Sequence, residues 1–251
     1  MSDQFYRERT YQDYIYNDDD KLILHEMLLE VNQFAGTNFE YLAELVNFSI
    51  KGTGEIFVKY ISRFSSESTR AYLIYQIAAD KVPNCDKLLL ELYKHFQKSD
   101  WYIGSPGKSP VHIYARYDTA FKRIPLRQIS HDLIEVISNP LDAYYLPLTV
   151  RKLASYKLPE MEPILWSYVN ETYPELTGHC LSEDIEVYNR YTQSIKERLK
   201  KTGIEGLKYY PSEKVQELFL HYVNGADPAL RHDAIKYLKF WEKHTYKTLK
   251  Q

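Results

Sequence analysis

One helical segment near the carboxyl end, residues 227–241, constrains the fold most, because weaker copies of it recur upstream. Its start signal is complete: the Asp227 carboxylate can accept hydrogen bonds from the first turn, and Pro228 occupies the first helical position, where an N–H is not needed. Apolar side chains then follow at the spacing of one helix face: Leu230, Ala234, Tyr237, Leu238 and Trp241. The pattern predicts an amphipathic helix with Trp241 packed inward and Arg231 directed toward the preceding pair of helices.

The upstream copies share an arginine in the first or second turn. The five arginines are Arg70, Arg116, Arg151, Arg190 and Arg231. Their separations are 46, 35, 39 and 41 residues. Helix pairs that recur at about 40 to 47 residues are typical of HEAT and armadillo arrays. The spacing therefore predicts a repeating two-helix unit.

Three of these segments carry a recognisable residue order. Residues 227–234 and 147–154 place a proline, an arginine and a small residue in sequence, and residues 66–71 keep the arginine and the small residue. In this order the chain resembles the HEAT-repeat family over roughly residues 20–248. A two-helix unit cannot bury its apolar faces alone, so such units stack. The resemblance implies an all-α fold, a right-handed α-solenoid of five to six HEAT-like antiparallel helix pairs.

Along the chain, residues 1–20 are predicted to form a tyrosine-rich amino-terminal arm, and residues 21–251 a single HEAT-like domain. Proline, glycine, asparagine and serine separate the helical patterns. A short helix is predicted through Phe57 and Ile61. Longer helices are predicted over 21–31, 38–50, 66–78, 85–96, 111–121, 126–137, 141–156, 159–169, 183–201, 212–223 and 228–247.

Composition narrows the class of protein. No apolar run reaches the ~18 to 20 residues of a membrane helix, and the first residues lack the layout of a signal peptide. We therefore expect a cytoplasmic monomer or weak dimer with no membrane contact. Residues 1–50 carry a net charge of −7 and residues 190–251 a net charge of +6. This asymmetry indicates either two solvated faces or a docking surface for a charged partner.

Two segments match known phosphate-binding or metal-binding motifs only in part. Residues 104–109 resemble a phosphate-binding loop, but the glycine spacing is wrong and Pro106 removes a backbone donor. His25 and Glu26 begin a zinc-protease helix pattern, yet Leu29 stands where the second histidine is required. The sequence predicts no catalytic residue, no metal and no cofactor. It favours a non-enzymatic protein without excluding catalysis.

The candidate binding residues are aromatic or cationic. An arginine of the series either pairs with an acidic residue of a neighbouring repeat and fixes its register, or binds a carboxylate or phosphate as a fork. The break at residues 100–110 is long for a compact helical domain, so its aromatic pair either forms a binding site or fills the gap between two helix pairs. These candidates are Trp101, Tyr102, Arg116, Arg151, Arg190 and Arg231.

The predicted function is a protein–protein interaction module, such as an adaptor, a regulator or a toxin-immunity-type binding protein. It would use the concave face of the array, and its partner is expected to be another protein. The alternative is a DNA-binding protein similar to the HEAT-like DNA alkylation-repair glycosylases, with residues 190–251 on the phosphates. A net charge of −2 and the absence of that family's aspartate after Trp101 disfavour it. A HEAT-type lyase or cofactor-attachment helper has no distinctive residue support.

Overall fold

The computed structural model describes residues 18–47, 50–98, 111–174 and 185–248. Every regular element within these ranges is a helix, which confirms the all-α class. Two 3-10 turns, Ile61–Arg63 and Arg127–Ile129, accompany the α-helices. The α-helices are α1 (Asp18–Ala35), α2 (Leu42–Asn47), α3 (Gly54–Tyr60), α4 (Glu67–Asp80), α5 (Cys85–Phe96), α6 (Val111–Arg123), α7 (Ser130–Ser138), α8 (Pro140–Tyr145), α9 (Pro147–Ser155), α10 (Met161–Asn170), α11 (Ile185–Leu207), α12 (Glu213–Val223) and α13 (Pro228–Thr248).

The described chain divides into two compact units, the first ending at His131 and the second beginning at Asp132. In the first unit, α4 packs along α6, and α3 packs on both α1 and α4. Both α4 and α6 carry an arginine of the repeat series. Two helices that carry arginines of this series are therefore in direct contact in this unit.

Aromatic rings fill the core of the first unit. Tyr93 and Tyr117 meet edge to face with ring centroids 5.0 Å apart, and Phe96 and Tyr114 meet in the same way at 5.0 Å. Phe121 completes the cluster beside Tyr93. Such edge-to-face pairs add about 0.5 to 1.5 kcal/mol each beyond the area that they bury. Some of the 24 tyrosines of the chain therefore lie in the core.

A buried carboxylate joins α1 to the start of α4. Asp20 is 1% exposed, and it accepts hydrogen bonds from the backbone N–H groups of Ser65 and Ser66 at 2.7 and 2.8 Å. Ser66 in turn caps α4, because its hydroxyl accepts from the N–H of Thr69 at 3.2 Å. The aspartates at residues 18–20 form the first turn of α1, and the third of them fixes the entry to α4.

In the second unit, α11 is the central element and packs against α8, α9 and α10, while α12 packs on α13. Two glycines of α11 permit the close approach of α10. A Cβ atom at Gly203 would lie 2.8 Å from the carbonyl oxygen of Leu165, and one at Gly206 would lie 2.5 Å from the Leu165 side chain. Real Cβ atoms essentially never approach other atoms so closely.

The carboxyl-terminal helix forms as predicted. Asp227 Oδ1 accepts from the N–H groups of Ala229 and Leu230 at 2.9 and 3.2 Å, and Pro228 is the first residue of α13. The Trp241 ring lies 5.2 Å from the Phe219 ring, and its indole N–H donates to the Lys208 carbonyl oxygen at 2.6 Å. Trp241 therefore packs inward.

Two predicted helices are broken or shortened, and the helix predicted over residues 183–201 continues to Leu207. The helix over residues 141–156 is broken at Leu146 (φ −113°, ψ 45°), because a residue before a proline avoids the helical region and Pro147 lacks an N–H. The helix over residues 38–50 shrinks to Leu42–Asn47 in the described chain. Here Asn32 intervenes, because its side chain accepts from the N–H of Phe39 at 2.8 Å and donates to the carbonyl of the same residue at 2.9 Å.

None of the described helices is long and apolar enough to cross a membrane. The tyrosine-rich arm predicted for residues 1–20 lies outside the described residues, except that residues 18–20 belong to α1.

Candidate functional site

A surface of two arginines and one tyrosine lies where α4 and α6 pack. Arg116 and Arg123 stand seven residues apart on one face of α6, and both reach the ring of Tyr75 on α4. The guanidinium carbons lie 4.8 Å and 4.2 Å from the ring centroid. Arg123 Nη2 also donates to the Tyr75 hydroxyl oxygen at 2.8 Å. We call Tyr75, Arg116 and Arg123 the arginine–tyrosine surface.

The arginine–tyrosine surface is cationic and carries no counter-charge. Neither guanidinium lies within ion-pair distance of a carboxylate in the described part of the chain. Arg63 offers the contrast: its guanidinium also lies over a tyrosine ring, that of Tyr60 at 5.2 Å, but its Nη2 pairs with Glu26 Oε2 at 2.6 Å. An arginine that stacks on a tyrosine ring can therefore also pair with a carboxylate, as Arg63 does.

A second polar group is buried at the start of α4. Glu67 is 5% exposed, and its Oε1 accepts from Arg70 Nη1 at 2.9 Å and lies 3.3 Å from His95 Nδ1. Arg70 Nε donates to the Phe64 carbonyl oxygen at 2.7 Å. Glu67 Oε2 and the hydroxyl of the fully buried Tyr117 have no hydrogen-bond partner among the described residues.

Burial shapes the ionisation of this buried group. Loss of solvent raises the pKa of Glu67, although the charges of Arg70 and His95 oppose that rise. The pKa of Tyr117 is raised well above its ordinary value by burial and by the charge of Glu67. Perturbed groups of this kind occur at functional sites and in structural ion pairs alike. Here the Arg70 guanidinium contacts the Phe64 carbonyl oxygen, Glu67 and His95, and this set of internal partners favours a structural role.

In the second unit, three tyrosines and an arginine form a partly exposed cluster, which we call the tyrosine cluster. Tyr144 meets Tyr145 and Tyr191 edge to face at 4.8 and 6.0 Å, and the hydroxyls of Tyr145 and Tyr191 are hydrogen-bonded. The guanidinium of Arg198 on α11 lies 5.0 Å from the Tyr144 ring. Arg198 makes no ion pair with any residue in the described ranges.

The predicted arginines fall into different environments. Arg151 Nη1 pairs with Glu205 Oε2 of α11 at 2.9 Å, so it links the helices that carry Arg151 and Arg190. Arg231 donates from Nε and Nη2 to the Gly225 carbonyl oxygen at 3.2 and 2.5 Å, in the turn that precedes α13. Arg190 is exposed on α11. Arg116 belongs to the arginine–tyrosine surface.

Trp101 and Tyr102 lie outside the described residues, so their predicted role stays a prediction. Several residues of the arginine–tyrosine surface, of the tyrosine cluster and of the buried group around Glu67 were not predicted from the sequence. The seven-residue spacing of Arg116 and Arg123 was a usable signal, because it places both on one helix face. The missed residues are Glu67, Tyr75, His95, Tyr117, Arg123, Tyr144, Tyr145, Tyr191 and Arg198.

The pairing of Arg151 predicts a measurable effect on stability. Arg151→Ala leaves Glu205, whose side chain is only 13% exposed, without its cation. We expect a loss of about 1 kcal/mol in the free energy of unfolding, between the small effect of exposed pairs and the larger effect of buried ones. Such a loss corresponds to a fall of about 2 to 4 °C in the melting temperature.

The control for this measurement is Lys196→Ala, because Lys196 pairs with Glu171 at 3.6 Å and both side chains are at least 40% exposed. We expect its melting temperature to equal that of the wild type within about 1 °C. An unchanged melting temperature for Arg151→Ala would show that Arg151 does not fix the contact between α9 and α11.

The arginine–tyrosine surface and the tyrosine cluster both offer groups that can bind a ligand. No three histidine, cysteine, aspartate or glutamate side chains come together to hold a metal ion within the described ranges. No protein-family model, curated protein or solved structure matches the chain. The arginine–tyrosine surface and the tyrosine cluster are therefore the candidate binding sites of this chain.

Proposed function

We propose that the protein is a non-enzymatic protein–protein interaction module, an adaptor, regulator or immunity-type binding protein. The observation that carries this proposal is the tyrosine cluster, a partly exposed group of three tyrosine rings with an arginine stacked on one of them. Tyrosine and arginine are the residue types that dominate the binding energy of protein interfaces. Rigid rings already packed against each other lose little side-chain entropy when a partner covers them.

The proposed scaffold is a HEAT-like right-handed solenoid of antiparallel helix pairs. Two contacts support it. The arginine-bearing helices of successive pairs pack on each other, α4 on α6 in the first unit and α9 on α11 in the second. In the second unit the Arg151–Glu205 ion pair joins such helices directly. Contacts between equivalent helices of adjacent repeats are what a stacked array requires.

Affinity capture from a native cell extract tests the proposal. The wild-type protein should enrich a specific partner protein, identified by mass spectrometry. Tyr144→Ala and Arg198→Gln should each lose most of that enrichment, because both groups are accessible and neither is fixed by a counter-charge. Lys214→Ala is the matched control, since Lys214 stacks on Trp166 at 4.0 Å on another helix of the same unit.

Two results would contradict the proposal. One is equal capture of the same proteins by the wild type and both variants. The other is the absence of any specific partner, together with a mobility shift of duplex DNA that falls steeply with salt. The second result would favour the nucleic-acid alternative.

A further inference from the structure

The groups of the arginine–tyrosine surface are all hydrogen-bond donors toward an incoming ligand. Arg116 and Arg123 have only donor nitrogens. The Tyr75 hydroxyl oxygen already accepts from Arg123 Nη2 at 2.8 Å, and Tyr75 makes no other hydrogen bond to a described residue, so its O–H proton is available to donate. A site that only donates, and that has no carboxylate to neutralise it, selects an oxyanion.

The charge of the arginine–tyrosine surface further limits which class of oxyanion it can bind. The two guanidinium groups bring two positive charges to a single ring, with carbon-to-centroid distances of 4.8 and 4.2 Å. A single carboxylate would neutralise only one of them. A phosphate monoester carries about −1.5 to −2 charges near neutral pH and presents three acceptor oxygens. Its charge and its number of acceptors match two guanidiniums and one hydroxyl.

Both arginines are accessible to such a ligand. Arg123 is exposed and Arg116 half-buried, so an approaching phosphoryl group does not have to enter the core. The Tyr75 ring holds both guanidinium groups in place before the ligand arrives, which lowers the entropy lost on binding. Arg63 lacks this capacity, because the Glu26 carboxylate already occupies its guanidinium.

We propose that Arg116, Arg123 and Tyr75 form a binding site for the phosphoryl group of a phosphorylated side chain on a partner protein. The inference rests on the proposed function in that it assumes a protein partner. Charge-assisted forks from arginine clusters are the usual way in which proteins bind phosphorylated motifs. The phosphoryl oxygens accept from both guanidiniums and from the Tyr75 hydroxyl.

Titration with capped peptides tests the site on the intact protein. The probes are acetyl-Gly-phosphoSer-Gly-amide, the same peptide with unmodified serine, and acetyl-Asp-Gly-Asp-amide, which has two carboxylates. The readout is the shift of the backbone N–H and arginine Nε–Hε signals in nitrogen–proton NMR spectra, the arginine signals being assigned with R116Q and R123Q. We expect the phosphopeptide to bind at least about tenfold more tightly than the di-aspartate peptide, and the serine peptide to cause no shift.

Variants locate the binding. R116Q/R123Q should abolish the phosphopeptide shifts of the remaining signals, Tyr75→Phe should weaken binding by roughly three- to tenfold through loss of one donor, and R63Q should leave the affinity unchanged. Equal affinity for the di-aspartate and phosphoserine peptides would overturn the proposal, because the site would then bind carboxylates of a partner protein as well as it binds a phosphoryl group. Absence of binding, or unchanged binding by R116Q/R123Q, would overturn it outright.

Phosphatase treatment separates this inference from the proposed function. If the partner is captured from the extract before phosphatase treatment and lost after it, both stand. Capture that survives phosphatase treatment and R116Q/R123Q alike would leave the binding function intact and remove the phosphoryl site. Phosphopeptide binding without any captured partner would leave the phosphoryl site intact and contradict the proposed protein-binding function.

Discussion

Arg70→Met is expected to lower the free energy of unfolding by about 3 kcal/mol, because breaking a buried ion pair leaves the other charge without a partner. Arg70 Nη1 donates to Glu67 Oε1 at 2.9 Å, and the side chains are 10% and 5% exposed. Its Nε also satisfies the Phe64 carbonyl oxygen, which the substitution would leave without that donor. Urea denaturation followed by circular dichroism measures the loss.

The loss caused by Arg70→Met should depend on pH. Burial raises the pKa of Glu67 above its ordinary value of 4.5, so the folded protein holds this proton more tightly than the unfolded chain does. The free energy of unfolding then falls as pH rises from 4.5 through the folded pKa. The charge of Arg70 lowers the pKa of Glu67. Removing Arg70 therefore raises this pKa further and widens the pH range over which stability falls. The loss should be larger near pH 7.5 than near pH 5.

A second substitution shows whether the uncompensated carboxylate is the cause. Glu67→Gln combined with Arg70→Met replaces the charge by a neutral amide, and it should recover at least about half of the lost stability. Arg63→Met is the control for arginine removal as such, because both side chains of its pair with Glu26 are about half exposed. A double variant as unstable as Arg70→Met, with no dependence on pH, would contradict this account of the buried pair.

Gly203→Ala should destabilise the second unit by about 2 kcal/mol, even though alanine favours helices over glycine by about 1 kcal/mol. The added Cβ would lie 2.8 Å from the Leu165 carbonyl oxygen, and this atom belongs to the backbone of α10 and cannot rotate away. It would also lie 3.0 Å from the Val169 side chain. The helices α10 and α11 must therefore separate, which disturbs the most extensive packing in the unit.

Gly225→Ala is the matched control in the same unit. Its Cβ would find no atom closer than 3.4 Å. We expect a change in the free energy of unfolding within about 0.5 kcal/mol, as for most surface substitutions. Thermal and urea unfolding of the two variants should therefore separate clearly. If Gly203→Ala were as stable as the wild type, the close contact between α10 and α11 would be wrong.

Local signals explain why much of the helical structure could be predicted from the sequence. The start of α13 depends on two adjacent residues, Asp227 and Pro228, whose effects act within one helical turn. The buried face of α13 follows from the spacing of apolar residues, and both Ala234 and Tyr237 are buried as that spacing predicts. Information of this kind is contained in fewer than fifteen consecutive residues.

Long-range contacts explain most of what could not be predicted. Asp20 belongs to an acidic run that looks like a solvated helix start, yet it binds backbone groups 45 and 46 residues away. Tyr75 and Arg123 are 48 residues apart and meet only because α4 packs on α6. The break at Leu146 is the exception, because it has a local cause in Pro147. The apolar spacing of residues 141–156 nevertheless led to the prediction of one continuous helix.

The affinity of the purified partner for wild-type protein and for the tyrosine-cluster variants tests the central claim most directly. Isothermal titration calorimetry should show that Tyr144→Ala and Arg198→Gln each raise the Kd at least about tenfold, the effect typical of an interface hot spot. The control variant Lys214→Ala should keep the wild-type Kd within about twofold. Wild-type affinity in both tyrosine-cluster variants, with their folds intact, would contradict the claim that this surface binds the partner.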